Sequence, residues 1–116
     1  MIKITHNNRC SKSRNSLQIL QDSAVKIKVV NYLNGELSET DLKDILGMLE
    51  MTAEQITRKS EKLFKEKFKE KFSNLSEEEK IKVLIKNPIL IERPIIWDDE
   101  KAVIGRPPEN VNIFLK

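Results

Sequence analysis

The sequence contains only one cysteine, one histidine and three glycines in 116 residues. A lone cysteine cannot form an internal disulfide, so a small disulfide-stabilised fold is excluded. Apolar runs are short, and 95–97, for example, is far below the roughly 18 apolar residues of a membrane-spanning helix. The N-terminus has no apolar stretch of signal-peptide length. We therefore expect a cytoplasmic protein, whose thiol stays reduced.

Chain length and net charge further limit the class of protein. A chain of 116 residues fits the usual size of one domain, so we expect a single domain over 1–116. The 21 basic and 18 acidic side chains give a net charge of +3 and are interspersed along the chain. Such mixing does not indicate a nucleic-acid or membrane partner.

The first third of the chain predicts a β-α-β unit. Residues 2–5 alternate apolar and polar side chains, and 26–32 do so again, which is typical of strands. Between them, 11–23 carries apolar residues at near-helical spacing without proline or glycine. A strand, a crossover helix and a second strand predict a parallel pair. Cys10 then lies in the first loop, at or next to the helix N-terminus.

The middle of the chain, about 38–87, predicts a helical insertion of three or four helices. Ser38 and Ser76 are candidate capping residues followed by apolar positions at helical spacing, and Thr52 with Gln55 is a candidate cap of another helix. Residues 61–72 predict a further helix, with phenylalanines at every fourth position.

The last third predicts a hairpin and a final helix. Residues 94–98 and 101–105 are short β-rich runs separated by a turn, and Pro107 and Pro108 open a segment with helical character. The order is therefore β-α-β, helices, β-β-α. We predict an α/β fold with a four-stranded mixed sheet flanked by helices, with the helical insertion between its βαβ and ββα halves.

Cys10 is the first candidate for chemistry. Backbone N–H groups at a helix N-terminus favour thiolate over thiol, and so do nearby cations. Three basic side chains lie within four residues: Arg9, Lys12 and Arg14. Ser13 can donate a hydrogen bond to the sulfur, and His6 can lie across the loop. A buried, inert cysteine remains the alternative.

The same loop favours an anion, because free N–H groups at a helix N-terminus accept oxyanions. Arginine grips the oxygens of a tetrahedral anion bidentately, so the distant Arg58, Arg93 and Arg106 become candidates for binding one. Arg93 and Arg106 are expected at strand ends, where α/β proteins gather ligands. Arg93 also precedes Pro94, so this peptide bond is a candidate for the cis form.

Four separated motifs resemble the bacterial glutaredoxin-dependent arsenate reductases. They are 6–15 (His-Asn-Asn-Arg-Cys-Ser-Lys-Ser-Arg-Asn), 57–59, 87–95 and 104–109, in the family's order and spacing. The resemblance implies a thioredoxin-like fold with a helical insertion and a cis bond before Pro94. It also implies site roles: Cys10 as nucleophile, His6 and Ser13 as groups that stabilise its thiolate, and Arg58, Arg93 and Arg106 as oxyanion-binding residues.

The implied activity is reduction of arsenate to arsenite through a Cys10–arsenate adduct, in arsenic detoxification. Since the chain has no second thiol, glutathione is expected as co-substrate and glutaredoxin as partner, with no bound cofactor or metal, and the protein is expected to be a monomer. Asn8 stands where the family usually has proline, which predicts a less rigid loop. Two alternatives stay open: a thiol redox or regulatory protein of the same fold without arsenate turnover, and a non-enzymatic binding module.

Overall fold

The computed structural model describes residues 1–7 and 9–115, and its elements follow the order expected from the sequence. The strands are β1 (Ile2–Thr5), β2 (Ile27–Val30), β3 (Ile95–Trp97) and β4 (Ala102–Ile104). The α-helices are α1 (Ser11–Asp22), α2 (Glu39–Leu49), α3 (Lys62–Lys67) and α4 (Glu77–Lys86). The 3-10 segments are Tyr32–Asn34, Glu54–Ile56, Phe72–Asn74, Pro88–Leu90 and Pro108–Phe114. Asn8 lies outside the described residues, so the expected flexibility of its loop stays a prediction.

The four strands form one mixed sheet in the order β2-β1-β3-β4. β1 and β2 are parallel, joined by α1, whereas β3 pairs antiparallel with both β1 and β4. The predicted parallel pair, hairpin and four-stranded mixed sheet are therefore confirmed. In this register Ile4 of β1 lies opposite Ile96 of β3, so both side chains point to the same face.

That face carries the core of the first of two compact units, Met1–Glu36 with Arg93–Lys116. Ile4 and Ile96 pack with Leu20 of α1 and Val111 of the C-terminal 3-10 segment, and all four are fully buried. Burying one such side chain contributes about 1.5–3 kcal/mol. The cluster therefore holds α1 and the C-terminal segment on the same face of the sheet.

The second unit, Leu37–Glu92, contains the three α-helices of the middle segment. Ser38 and Ser76 both form reciprocal capping boxes, as their sequence context predicts. α2 and α4 pack against each other. The single domain expected over 1–116 stays a prediction.

A polar cluster around Glu54 crosslinks this second unit. Its carboxylate accepts hydrogen bonds from Lys59 Nζ (2.7 Å), Lys80 Nζ (2.9 Å) and Ser73 Oγ (3.1 Å). These donors, Lys59 foremost, lower the pKa of Glu54 from its ordinary 4.5 to about 2. The cluster joins the 3-10 segments near 54 and 73 to α4.

The helix predicted over 61–72 is wrong at its C-terminal end, because α3 stops at Lys67. The rings of Phe64 and Phe72 lie 5.5 Å apart in an edge-on contact. In an unbroken helix, eight residues would separate them by about 12 Å along the axis. After α3 the chain turns and brings Phe72 back onto Phe64, and both side chains are buried.

Two other predicted helices are shorter 3-10 segments. Thr52 and Gln55 do exchange capping hydrogen bonds (2.9 and 3.3 Å), but the segment that follows ends at Ile56 because Thr57 pairs with Ile91 in a β-bridge. The C-terminal segment Pro108–Phe114 is also 3-10. In that geometry residues three apart eclipse, so Val111 and Phe114 share the core-facing side.

Candidate active site

Cys10 is the N-cap of α1 and follows β1 through a short loop. Its backbone is extended (φ −101°, ψ 118°), its N–H donates to Asn7 O (3.0 Å), and its carbonyl accepts from Arg14 N–H (3.0 Å). Its side chain makes no capping hydrogen bond and is only 6 % exposed. The loop therefore fixes the backbone at Cys10 and leaves the sulfur uncommitted to the helix terminus.

His6 and Ser13 meet across this loop. His6 Nδ1 lies 2.6 Å from Ser13 Oγ, which also accepts a hydrogen bond from the backbone N–H of Asn7 (3.0 Å). Ser13 is fully buried. In the tautomer with a bare Nδ1, the Ser13 hydroxyl donates to His6; in the tautomer with a proton on Nδ1, this nitrogen donates instead and the serine proton can turn to another acceptor.

Arg106 brings a cation to the sulfur from the far end of the chain. Its Nη2 donates to Cys10 Sγ at 3.7 Å, and its Nε donates to Arg93 O at 2.7 Å. Arg93 precedes β3 and Arg106 follows β4, so the hairpin brings the two together. Two guanidinium nitrogens of Arg93, Nε and Nη1, are buried. A thiolate at Cys10 would be stabilised by the charge-assisted contact from Arg106 Nη2.

Both arginines precede prolines in the cis form. The Arg93–Pro94 bond is cis, as expected, and the Arg106–Pro107 bond, for which no cis form was predicted, is cis as well.

Arg58 belongs to the second unit, between the 3-10 segment ending at Ile56 and α3. Its backbone N–H donates to Leu90 O (2.7 Å), and its guanidinium pairs with Glu61 and, at 3.9 Å, with Glu92. Its side chain is 18 % exposed. Its role in oxyanion binding stays a prediction.

Three residues that support the site were not singled out from the sequence. Thr5 Oγ1 accepts from Ile95 N–H (2.8 Å) and so ties the end of β1 to the start of β3. Gly105 lies so close to α1 that an added Cβ would be 2.5 Å from Ser16 Oγ. Asn110 donates to backbone carbonyls on both sides of Gly105. No local sequence pattern marks such residues, because their partners are distant in the chain or depend on the loop's shape.

Within residues 1–7 and 9–115, no group of three or more His, Cys, Asp or Glu side chains is arranged to hold a metal ion. No helix in the same part of the chain is long and apolar enough to cross a membrane.

A βαβ unit followed by a β-hairpin is the architecture of a thioredoxin-like protein. At the start of α1 this protein carries a thiol to which an arginine donates. Comparisons with known proteins agree. The ArsC family profile matches residues 5–114, and the chain belongs to this family, which includes arsenate reductases.

Individual relatives cover nearly the whole chain. An arsenate reductase of Neisseria meningitidis is 37% identical over 98% of this chain and 97% of its own length. The uncharacterized protein YfgD of Escherichia coli is 45% identical over 95% of this chain and 92% of its own. The solved structure of an arsenate reductase from Vibrio cholerae superposes with a TM-score of 0.87 and 34% identity, covering 99% of this chain and 97% of its own.

Proposed function

We propose that the protein is an arsenate reductase that uses glutathione and glutaredoxin as its thiol donors. The observation that carries the proposal is the 3.7 Å contact from Arg106 Nη2 to Cys10 Sγ at the start of α1. A guanidinium beside a sulfur both favours the thiolate and offers remaining donors to an oxyanion. Membership of a family with arsenate reductases selects arsenate among the oxyanions.

In the first step the Cys10 thiolate attacks arsenic. An S–As(V) bond forms, and one arsenate oxygen leaves as water after protonation. Arg93, Arg106 and Arg58 hold the arsenate oxygens and the negative charge that develops during attack. Ser13, positioned by His6 and Asn7, stabilises the thiolate by donating its proton when His6 does not accept it.

The second step needs thiols from outside, because the chain has one cysteine. The glutathione thiolate attacks Cys10 Sγ of the adduct, and the S–As bond breaks with its electron pair on arsenic. Arsenic leaves as arsenite, and Cys10 and glutathione remain joined as a mixed disulfide. A glutaredoxin thiolate then attacks the glutathione sulfur and releases Cys10 as a thiol. Two thiols are oxidised for each arsenate reduced. A monomer in the cytoplasm, where glutathione is abundant, fits this cycle.

A coupled assay tests the proposal. Purified protein is mixed with arsenate, glutathione, glutaredoxin and a regenerating reductase, and arsenite release is measured. We expect multiple turnovers with the full thiol system, none when the thiols are omitted, and none from Cys10→Ser, since a serine hydroxyl can neither ionise near neutral pH nor form the mixed disulfide. Circular dichroism of Cys10→Ser checks that its fold is retained.

Two results would contradict it. Arsenite release from Cys10→Ser would show that Cys10 is not the nucleophile. No release from the wild type at millimolar arsenate with all thiols present would favour the alternative of a thiol redox protein without arsenate turnover.

A further inference from the structure

We propose that Asn110 is a positioning residue for Arg106 and thereby controls the reactivity of Cys10. The proposal rests on the proposed function in one respect, because that function gives Arg106 its role beside the reacting sulfur. Asn110 does not contact that sulfur; it acts through the loop that carries Arg106.

The first observation is the pair of hydrogen bonds made by the Asn110 side chain. Nδ2 donates to Ile104 O at 2.9 Å and to Arg106 O at 3.1 Å. Two carbonyl oxygens face the same end of the side chain, so this end must be the NH2 group, and both of its protons are used. Aspartate, of the same shape, would place a carboxylate oxygen against these two acceptors.

The second observation is what lies between the two carbonyls. Ile104 is the last residue of β4, and Gly105 N–H donates to Pro94 O at 2.9 Å. One amide group therefore bridges the backbone on either side of Gly105. The loop is held at its strand end by the hairpin and at its far end by Asn110.

The third observation is the direction of Arg106. From this loop its Nε reaches Arg93 O (2.7 Å) and its Nη2 reaches Cys10 Sγ (3.7 Å). Arg106 is an exposed residue, and a long exposed side chain changes its direction easily once its backbone can move. The two hydrogen bonds from Asn110 hold the backbone from which this side chain extends.

The experiment follows the rate at which iodoacetamide alkylates Cys10 at neutral pH, without any anion, and therefore does not depend on arsenate turnover. Asn110→Ala and Asn110→Asp are compared with Arg106→Gln and with the double variant Asn110→Ala/Arg106→Gln. The matched control is Asn112→Ala, which removes an exposed asparagine from the same 3-10 segment.

We expect Arg106→Gln to slow alkylation, since losing the guanidinium leaves less thiolate. Asn110→Ala should slow it in the same direction, Asn110→Asp more strongly, and Asn112→Ala not at all. In the double variant, Asn110→Ala should add nothing to the effect of Arg106→Gln, because its whole influence passes through that side chain. In the coupled assay, Asn110→Ala should lower kcat/KM for arsenate by roughly tenfold.

The outcomes separate the two proposals. Slow alkylation in Arg106→Gln with a normal rate in Asn110→Ala would overturn the role of Asn110 alone, and so would effects that add in the double variant, as expected of a merely stabilising residue. An unchanged rate in Arg106→Gln would overturn the positioning role and the Arg106–Cys10 contact together. If the alkylation rates follow the expected non-additive pattern but no arsenate is turned over, the role of Asn110 is supported and the proposed enzyme activity is contradicted.

Discussion

Replacing Gly105 with alanine tests how closely α1 packs against the loop that carries Arg106. An added Cβ would lie 2.5 Å from Ser16 Oγ, 2.8 Å from Pro94 Cγ and 3.1 Å from Ile96 Cδ1. Carbon atoms do not approach other heavy atoms below 3.0 Å without displacement, and all three neighbours are buried. The Ser16 hydroxyl can rotate away, but the Pro94 ring is closed onto its own backbone, so the backbone at Pro94 or at Gly105 must shift.

The magnitude follows from this overpacking. Forcing a methyl group into a packed interior costs about 1–3 kcal/mol. For a chain of this length 1 kcal/mol lowers the melting temperature by about 4 °C, so we expect a decrease of about 4–12 °C. Gly47→Ala is the matched control, because its Cβ meets nothing within 4 Å in the last turn of α2. Alanine there should stabilise by about 0.5–1 kcal/mol.

Thermal unfolding followed by circular dichroism measures both changes. The double variant Ser16→Ala/Gly105→Ala removes the shortest contact but keeps the one with Pro94 Cγ, so we expect partial recovery. Because Arg106 follows directly, alkylation of Cys10 should slow in Gly105→Ala as well. The reasoning is refuted if Gly105→Ala melts at or above the wild-type temperature, or if the double variant melts lower than Gly105→Ala alone.

Three further predictions concern a charge cluster, a helix cap and an arginine. Glu54→Gln should be less stable than the wild type at pH 7, and the difference in unfolding free energy should shrink as pH falls from about 4.5 to about 2. The reason is that the pKa of Glu54 is lower in the folded state than in the unfolded state. The stability from its carboxylate is therefore fully present above the unfolded pKa and is lost as pH falls through the folded pKa. A difference that stays constant over this range would contradict it. Ser76→Ala removes the N-cap acceptor of α4 and should lower the unfolding free energy by about 1 kcal/mol in a denaturant titration. Ser76→Gly should lower it by only a few tenths of a kcal/mol, and equal losses in the two variants would count against the cap. Arg93→Lys should retain little arsenate turnover, because the lysine ammonium lacks the planar, two-pronged guanidinium of arginine. A wild-type kcat/KM in this variant would exclude bidentate binding of arsenate by Arg93.

Much of the fold could be predicted because its signals are local. Alternating β-branched residues marked β1 and β2, and Ser38 and Ser76 marked two helix starts through side chains that bond only three residues away. Such signals failed where a distant partner competes. Phe72 leaves the helical path to pack on Phe64, and Thr57 ends a 3-10 segment to pair with Ile91.

The candidate site divides in the same way. His6, Cys10 and Ser13 lie within eight residues, so the turn from β1 into α1 determines their proximity, and they could be grouped from their spacing alone. Arg93 and Arg106 were recognised only as candidates. Their meeting with each other, and that of Arg106 with Cys10, depends on β3 pairing with β1 and β4.

Asn110 could be identified only from the tertiary structure. Its two acceptors are backbone carbonyls, which every residue possesses, so no residue type in the sequence indicates that they face its amide. The same holds for Gly105, whose missing side chain matters because α1 and the hairpin approach each other there. Residue types and their spacing indicate which side chains could perform the chemistry, whereas the sheet register and helix packing select the backbone atoms that hold those side chains in place.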